Sequence, residues 1–370
     1  MKYLKILVIT NHYPPFIKGG YEIACKETVD QLRFFGHNVT VLTENKRVQD
    51  SDNQILRKLN YIDYKKHGKL KRVFLDVLNK KVTATTIKEE SPDIIYIWSL
   101  RGLGLRLLQE VSDKKKLFEI GDMWMKGYQF QIDKYNIDFS PAICVSKWLR
   151  DDFIKSMDVK KELTYVIPNS LKEINYIETK IKNNKFENKN HPVQLGFVGR
   201  IEADKGFHVA IKALNRLHKM NIKFDFVVFG SGEKDYIRYC KSLCQFPLEN
   251  IKWMGFEHDT KKIYKSFDIL LMPTLVAEAF GLVIIEAMAN GVIPIATNST
   301  GPKEIISNKF GRLFEYMDDE DFAQSIIDII YHPNKNKLIE SGYREVSEKY
   351  LSINVKRNVE SVLFEVFNGN

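Results

Sequence analysis

The sequence predicts an α/β protein built from two doubly wound domains that face each other across a cleft. Three observations carry this expectation. The chain has 370 residues, more than one hydrophobic core ordinarily serves. Apolar strand patterns, Gly- or Pro-marked turns and helical patterns alternate along it in two series, the alternation that builds parallel sheets covered by helices. Between the series, over 171–191, the composition turns to Lys, Asn, Glu and Ile without a clear period, as in a connector.

The elements follow in order. Residues 4–10 form an apolar strand, and 11–20 are a loop by their Pro and Gly content. A helix over 21–35 stops at Gly36 and a second strand covers 38–43. Further strands are expected at 93–98, 116–120, 142–145 and 165–167. The second series has strands at 194–198, 224–229, 251–254, 269–272 and 292–296, with a helix over 207–220 after the first. Beyond Pro333 only helical patterns remain. These features set domains at 1–185 and 186–345, and a C-terminal segment, 346–370, whose helix over 355–367 is expected to cross back to the first domain.

A net charge of +9 suits an anionic partner such as a sugar nucleotide or a lipid surface. Nucleic acid is not expected, because the aromatic residues are not interleaved with the basic runs. The most apolar long stretch, 279–296, contains Glu286, Asn290, Gly291 and Pro294 and is a poor membrane span. The start, with a short apolar run and no small-residue cleavage site, is expected to be the first strand of a cytoplasmic protein. Cys25, Cys144, Cys240 and Cys244 have no His/Cys cluster around them, so neither a metal nor a disulfide is expected. Two D-x-D patterns read as structural: Asp50 to Asp52 in a solvated loop, and Asp319 to Asp321 at a helix start that favours acids. The stretch from Lys65 to Lys81 is basic and partly amphipathic, which would allow peripheral contact with an anionic membrane at the inner face.

Open α/β sheets bind ligands outside the carboxyl ends of their strands. Five loops there have suitable chemistry: Gly19-Gly20, Gly121-Asp122, Gly199 to Gly206, Gly230 to Gly232, and Glu278 to Leu282. In the last of these a strand end, a glycine turn and a helix start coincide, and the free amides of a helix start suit an anion. In the loop Gly199 to Gly206, Arg200 offers a planar fork and Lys205 a compact charge, both suited to phosphate oxygens.

The motifs Pro14-Pro15-x3-Gly19-Gly20-x-Glu22, Val145-Ser146, Ile167-Pro168-Asn169, Gly199-Arg200-x4-Lys205-Gly206, Glu278-x-Phe280-Gly281-x4-Glu286 and Gly301-x2-Glu304 span most of the chain. With them the sequence resembles a family 4 retaining glycosyltransferase of the two-Rossmann-domain type, the GT-B fold. The resemblance implies a nucleotide-diphosphate sugar as donor, no other cofactor and no metal. It places the acceptor in the first domain and the donor in the second. It implies that Glu286 holds the ribose hydroxyls, Glu278 a hydroxyl of the donor sugar, and Arg200 with Lys205 the diphosphate. Gly19, Gly20, Gly199, Gly230, Phe280, Gly281, Leu282 and Val283 complete the donor-binding set, with Gly19-Gly20 as a flexible turn. The family suggests front-face attack in which the departing diphosphate is its own base. It also has a His-Asp pair after the strand that ends at Ile120; Asp122 matches the second member and joins Glu278, Arg200 and Lys205 as a catalytic candidate. Gly121 stands where the His would be; His12, at the end of the first strand, either fills its space or is a structural loop residue, the commoner case for a lone His.

The function implied is transfer of a hexosyl-type unit to a hydroxyl of a glycan or lipid-linked acceptor in cell-surface glycan assembly. The absent His keeps a non-catalytic nucleotide-sugar-binding partner of a glycan-assembly complex as the alternative. A dinucleotide dehydrogenase is disfavoured, because no strand is followed by G-x-G-x-x-G with an acidic residue about twenty positions on. The sequence does not choose between UDP, GDP and ADP.

Overall fold

The structure is a computed structural model that describes residues 3–17, 19–46, 48, 52–172 and 191–369. The connector between the two series, over 173–190, and Asp50 and Ser51 of the first D-x-D pattern lie outside the described residues. The chain divides into two compact units, Met1–Lys172 with Ser352–Asn370, and Glu173–Leu351. The sequence had set these divisions at 185/186 and 345/346.

The first unit holds a parallel sheet of seven strands: β1 (Lys5–Ile9), β2 (Asn38–Glu44), β3 (Ile55–Leu59), β4 (Ile94–Ile97), β5 (Lys116–Ile120), β6 (Ala142–Cys144) and β7 (Thr164–Val166). Their order is β3-β2-β1-β4-β5-β6-β7. β1 lies between β2 and β4, and four of its five residues are buried, as a central parallel strand covered on both faces must be. The helices of this unit are α1 (Gly20–Phe34), α2 (Lys69–Glu90), α3 (Gln129–Tyr135), α4 (Lys147–Met157) and, from the other end of the chain, Ser352–Asn368. That last helix packs on α1: Val355, Val359 and Leu363 share a core with Cys25, Val29 and Leu32. Its Glu360 lies 3.0 Å from Nε2 of His37.

The second unit holds six parallel strands: β8 (Val193–Val198), β9 (Phe224–Phe229), β10 (Ile251–Gly255), β11 (Ile269–Met272), β12 (Ile293–Thr297) and β13 (Arg312–Phe314). Their order is β10-β9-β8-β11-β12-β13. Its helices are α5 (Phe207–Lys219), α6 (Lys234–Ser242), α7 (Thr260–Tyr264), α8 (Leu282–Ala289), α9 (Thr300–Ile305), α10 (Asp319–Ile330) and α11 (Lys335–Lys349). Aromatic residues dominate the core around α5, where Phe207 meets Phe197 edge-on at 5.0 Å and stacks on Phe226 at 5.6 Å. α10 begins under an Asp318 side chain that accepts from the amides of Glu320 and Asp321, so the second D-x-D pattern lies at a capped helix start. No described helix is long and apolar enough to cross a membrane.

β3 and β13 were not anticipated. Both are edge strands. β3 carries Arg57 and Lys58 and is half-exposed, while β13 is three residues long, so neither shows the continuous apolar run of a central strand.

Candidate active site

In the second unit the strand order reverses between β8 and β11, and the loops after these strands meet. Gly206 closes the loop after β8 with φ +67°, in the left-handed region, and a Cβ there would lie 1.8 Å from the carbonyl oxygen of Pro273. The backbone of this loop is therefore seated on the end of β11, and the Leu275 amide donates to the Asp204 carbonyl at 2.8 Å. The approach brings two predicted residues together. Lys205 Nζ lies 2.8 Å from Glu278 Oε2, with the side chains 24% and 22% exposed. Arg200 stays apart, exposed, and pairs with Glu202 and, at 3.4 Å, with Asp204 on its own loop. Exposed pairs of this kind are worth about 1 kcal/mol or less, so a diphosphate can compete for the guanidinium.

The Glu278 turn is shaped by close backbone contacts. Its carbonyl accepts from the Gly301 amide and the Thr300 hydroxyl, both at 2.9 Å. A Cβ on Gly301 would lie 2.6 Å from the Phe280 carbonyl oxygen. Gly281 caps α8 with φ +110°, a conformation suited to glycine. Leu282 and Val283 then supply the first amides of the helix, with the free donors and positive dipole end that favour an anion. Phe280 is placed differently from its expectation: its side chain is buried against Tyr350 at 5.8 Å. It anchors the turn by apolar packing, and its side chain is not available to line a donor pocket.

Glu286 sits one turn into α8, partly buried. Burial raises its pKa, and a 2.7 Å hydrogen bond from the Tyr264 hydroxyl opposes that rise. Gly199 and Gly230 hold the ends of β8 and β9 at backbone distance: a Cβ on Gly230 would lie 1.9 Å from the Gly199 carbonyl oxygen. Above the α-carbon of Gly199 the space is open.

The remaining predicted residues belong to the first unit. Gly19-Gly20 is not a free turn. Gly20 is the first residue of α1, and Gly19 is its extended N-cap, whose amide donates to Glu22 Oε2 at 2.9 Å. This single bond, the half of a capping box open to a glycine, ties down a segment expected to be a flexible turn. Asp122 follows β5; it accepts from the Trp124 amide and from Arg101, each at 2.9 Å. Beside it, a Cβ on Gly121 would lie 2.2 Å from the ring of Tyr21. That ring is pinned edge-on to Trp98 at 5.1 Å, and its hydroxyl donates to the Glu119 carbonyl at 2.9 Å. A histidine at 121 would therefore require the tyrosine from α1 to move.

His12, Asp122 and Arg101 line one pocket at the carboxyl ends of β1, β4 and β5, where the order of this sheet also reverses. His12 is buried, stacks on Tyr61 at 5.4 Å and places Nδ1 2.5 Å from Glu44 Oε2. Burial raises the pKa of Glu44, but the His12 contact and nearby Lys46 outweigh it and hold the carboxyl below its ordinary range.

The glycosyl transferases group 1 family profile matches residues 178–345. The chain carries a glycosyl transferases group 1 domain. Outside that domain the likeness continues. An uncharacterised glycosyltransferase of Methanocaldococcus jannaschii is 25% identical over 390 residues, 97% of each chain. A capsular polysaccharide biosynthesis glycosyltransferase of Staphylococcus aureus is 28% identical over 235 residues, 60% of each chain. The Anabaena protein HepE, solved with UDP and glucose, superposes with a TM-score of 0.74 at 18% identity, covering 98% of this chain and all of its own. At that identity the likeness is one of fold: two parallel-sheet α/β units matching GT-B glycosyltransferase structures.

Four residues of these clusters escaped the sequence reading. Glu44 ends β2 and Arg101 closely follows β4, so position at strand ends was a usable signal for both. Tyr61 and Tyr264 carry no such mark, since a tyrosine among lysines and polar residues shows neither its ring contact nor its hydroxyl partner until the fold is seen.

Proposed function

We propose that the protein is a retaining, metal-independent glycosyltransferase of family 4 that moves a hexosyl unit from a nucleotide-diphosphate sugar to a hydroxyl acceptor in cell-surface glycan assembly. The observation that carries this is the junction of the loops after β8 and β11, where Lys205 meets Glu278 beside the glycine-capped start of α8. In this proposal Lys205, Arg200 and the amides of Gly281, Leu282 and Val283 take the diphosphate. Negative charge grows there as the leaving group departs, and fixed donors stabilise it most in the transition state. Glu278, released from Lys205 as the phosphate takes over that cation, holds a hydroxyl of the sugar. Glu286 holds the ribose. Relatives named for capsular polysaccharide biosynthesis, and a fold neighbour solved with UDP, support the donor class and the setting.

The test is a thermal-shift screen against UDP, GDP and ADP, followed by donor turnover with the matching nucleotide sugars. Stabilisation by one nucleoside diphosphate and turnover of its sugar conjugate are expected. Binding without turnover across an acceptor panel would instead favour the non-catalytic partner.

We also propose that α2 meets an anionic membrane. Leu70, Val73 and Phe74 are exposed at helical spacing, 88%, 48% and 61%, and Lys65, Lys69 and Lys71 beside them have no ion partner among the described residues. Apolar groups that enter the headgroup region and lysines that meet anionic lipid give one face two reasons to bind. Flotation with anionic but not with zwitterionic liposomes is expected, with loss on Leu70→Ser/Phe74→Ser; equal flotation of that variant would remove the role.

A further inference from the structure

We infer that Tyr264 is a positioning residue of the donor site: its hydroxyl fixes one oxygen of the Glu286 carboxylate and leaves the other to the hydroxyls of a ribose. The site thereby tells a ribonucleotide from its deoxy counterpart with the help of a residue that touches neither. The inference rests on the ribose role proposed for Glu286.

Tyr264 ends α7, which packs on α8, the helix that carries Glu286. Its side chain is fully buried, edge-on to Phe267 at 5.7 Å and in one core with Leu270, Ala287 and Val292. A ring enclosed in this way holds its hydroxyl at a fixed point. Two acceptors lie within reach of that hydroxyl, Glu286 Oε2 at 2.7 Å and the Val283 carbonyl at 3.3 Å. The phenol has one hydrogen to donate. The carboxylate at the shorter distance takes it, because bonds to an ionised acceptor are shorter and stronger.

Glu286 has no other such support. Among the described residues no cation pairs with it and no second side chain donates to its carboxyl group; the Asn290 side chain bonds its main-chain carbonyl instead. Burial favours the protonated form, and the tyrosine bond acts against it. Both effects bear on a ribose, whose vicinal hydroxyls need an acceptor. An ionised group with Oε2 fixed offers every lone pair of Oε1, whereas a protonated one competes as a donor. Phenylalanine would fill the same core without burying a polar group. The hydroxyl is therefore placed for the carboxylate, not for packing.

Calorimetric titration of the full chain with UDP, GDP and ADP, and with their 2′,3′-dideoxy counterparts, tests this in wild type and Tyr264→Phe. One ribonucleotide is expected to bind the wild type, its dideoxy form about tenfold or more weakly. Tyr264→Phe should weaken the ribonucleotide by about tenfold and leave the dideoxy form unchanged, a selective loss that a merely structural tyrosine would not give. If that variant does not fold, Tyr264→Phe/Glu286→Gln is compared with Glu286→Gln: without a carboxylate to fix, the two should bind every ligand alike. Equal loss of ribo and dideoxy ligands in Tyr264→Phe, loss of neither, or a further loss in the double variant overturns the inference while the donor reading stands. Failure of all three ribonucleotides to bind the wild type would sink the donor reading and this inference with it.

Discussion

The two loop clusters are built by opposite means. In the second unit the site is made of backbone: Gly206, Gly230 and Gly301 each stand where a Cβ would collide with a neighbouring carbonyl, and the charged side chains are carried on loops held that closely. In the first unit it is made of side chains. Tyr21 fills the space beside Gly121, and Glu44 and Tyr61 clamp His12 from other segments. A backbone-built cluster tolerates no added methyl group but can exchange ion pairs; a side-chain-built cluster fails when a clamp is removed.

The largest effect expected from that difference is at Gly206. Gly206→Ala places a methyl group on the Pro273 carbonyl and forces alanine to a left-handed φ, so a loss of about 3 to 4 kcal/mol in chemical denaturation is expected. Wild-type stability in this variant would mean that the loop is not seated on β11.

Glu278→Gln separates chemistry from stability in the same cluster. Its ion pair is partly exposed, so stability should change by about 1 kcal/mol or less, while transfer should fall about 100-fold if the carboxylate serves the sugar in the transition state. Near-normal turnover would remove Glu278 from any essential role.

Behind the first-unit pocket lies a buried charge cluster that gives a pH signature. Burial pushes Glu119 up to about 7, against the pull of the Lys356 charge and of a hydrogen bond from the Tyr96 hydroxyl. The unfolded chain ionises this carboxyl near 4.5 and the folded one only near 7. Folding therefore takes up a proton between those values, and stability falls as pH rises through that window. Melting temperature should decline from pH 5 to 8 by the equivalent of about 2 to 3 kcal/mol, and Glu119→Gln should flatten the decline. An unchanged slope in the variant would assign the pH dependence to other groups.

The smallest effect is expected at Gly121. Restoring the histidine of the resembled family should cost about 1 to 2 kcal/mol, because Tyr21 is in its place. Tyr21→Ala in the same chain should recover part of that loss, a coupling that two additive variants would not show.

The same contrast explains what the sequence disclosed. The second-unit cluster was legible because its parts are short motifs: Gly199 to Gly206 and Glu278 to Glu286 each hold the turn, the charge and the helix start in one contiguous stretch. The central strands were legible because burial on both faces leaves continuous apolar runs; β3 and β13, at sheet edges, left none. In the first unit the pairs join residues far apart in sequence, His12 with Glu44 and Gly121 with Tyr21. Neither pairing has a local pattern. The same holds for Phe280, where the motif named the residue but not which way its side chain packs.

The central claim is that the loops after β8 and β11 hold a nucleoside diphosphate. Calorimetric titration of UDP, GDP and ADP into wild type and Lys205→Gln tests it most directly. The expected result is that one of the three binds the wild type and that Lys205→Gln weakens it by about 10- to 100-fold, the loss of one charge-assisted phosphate contact. Equal binding by Lys205→Gln, or no binding of any of the three to the wild type, would contradict it.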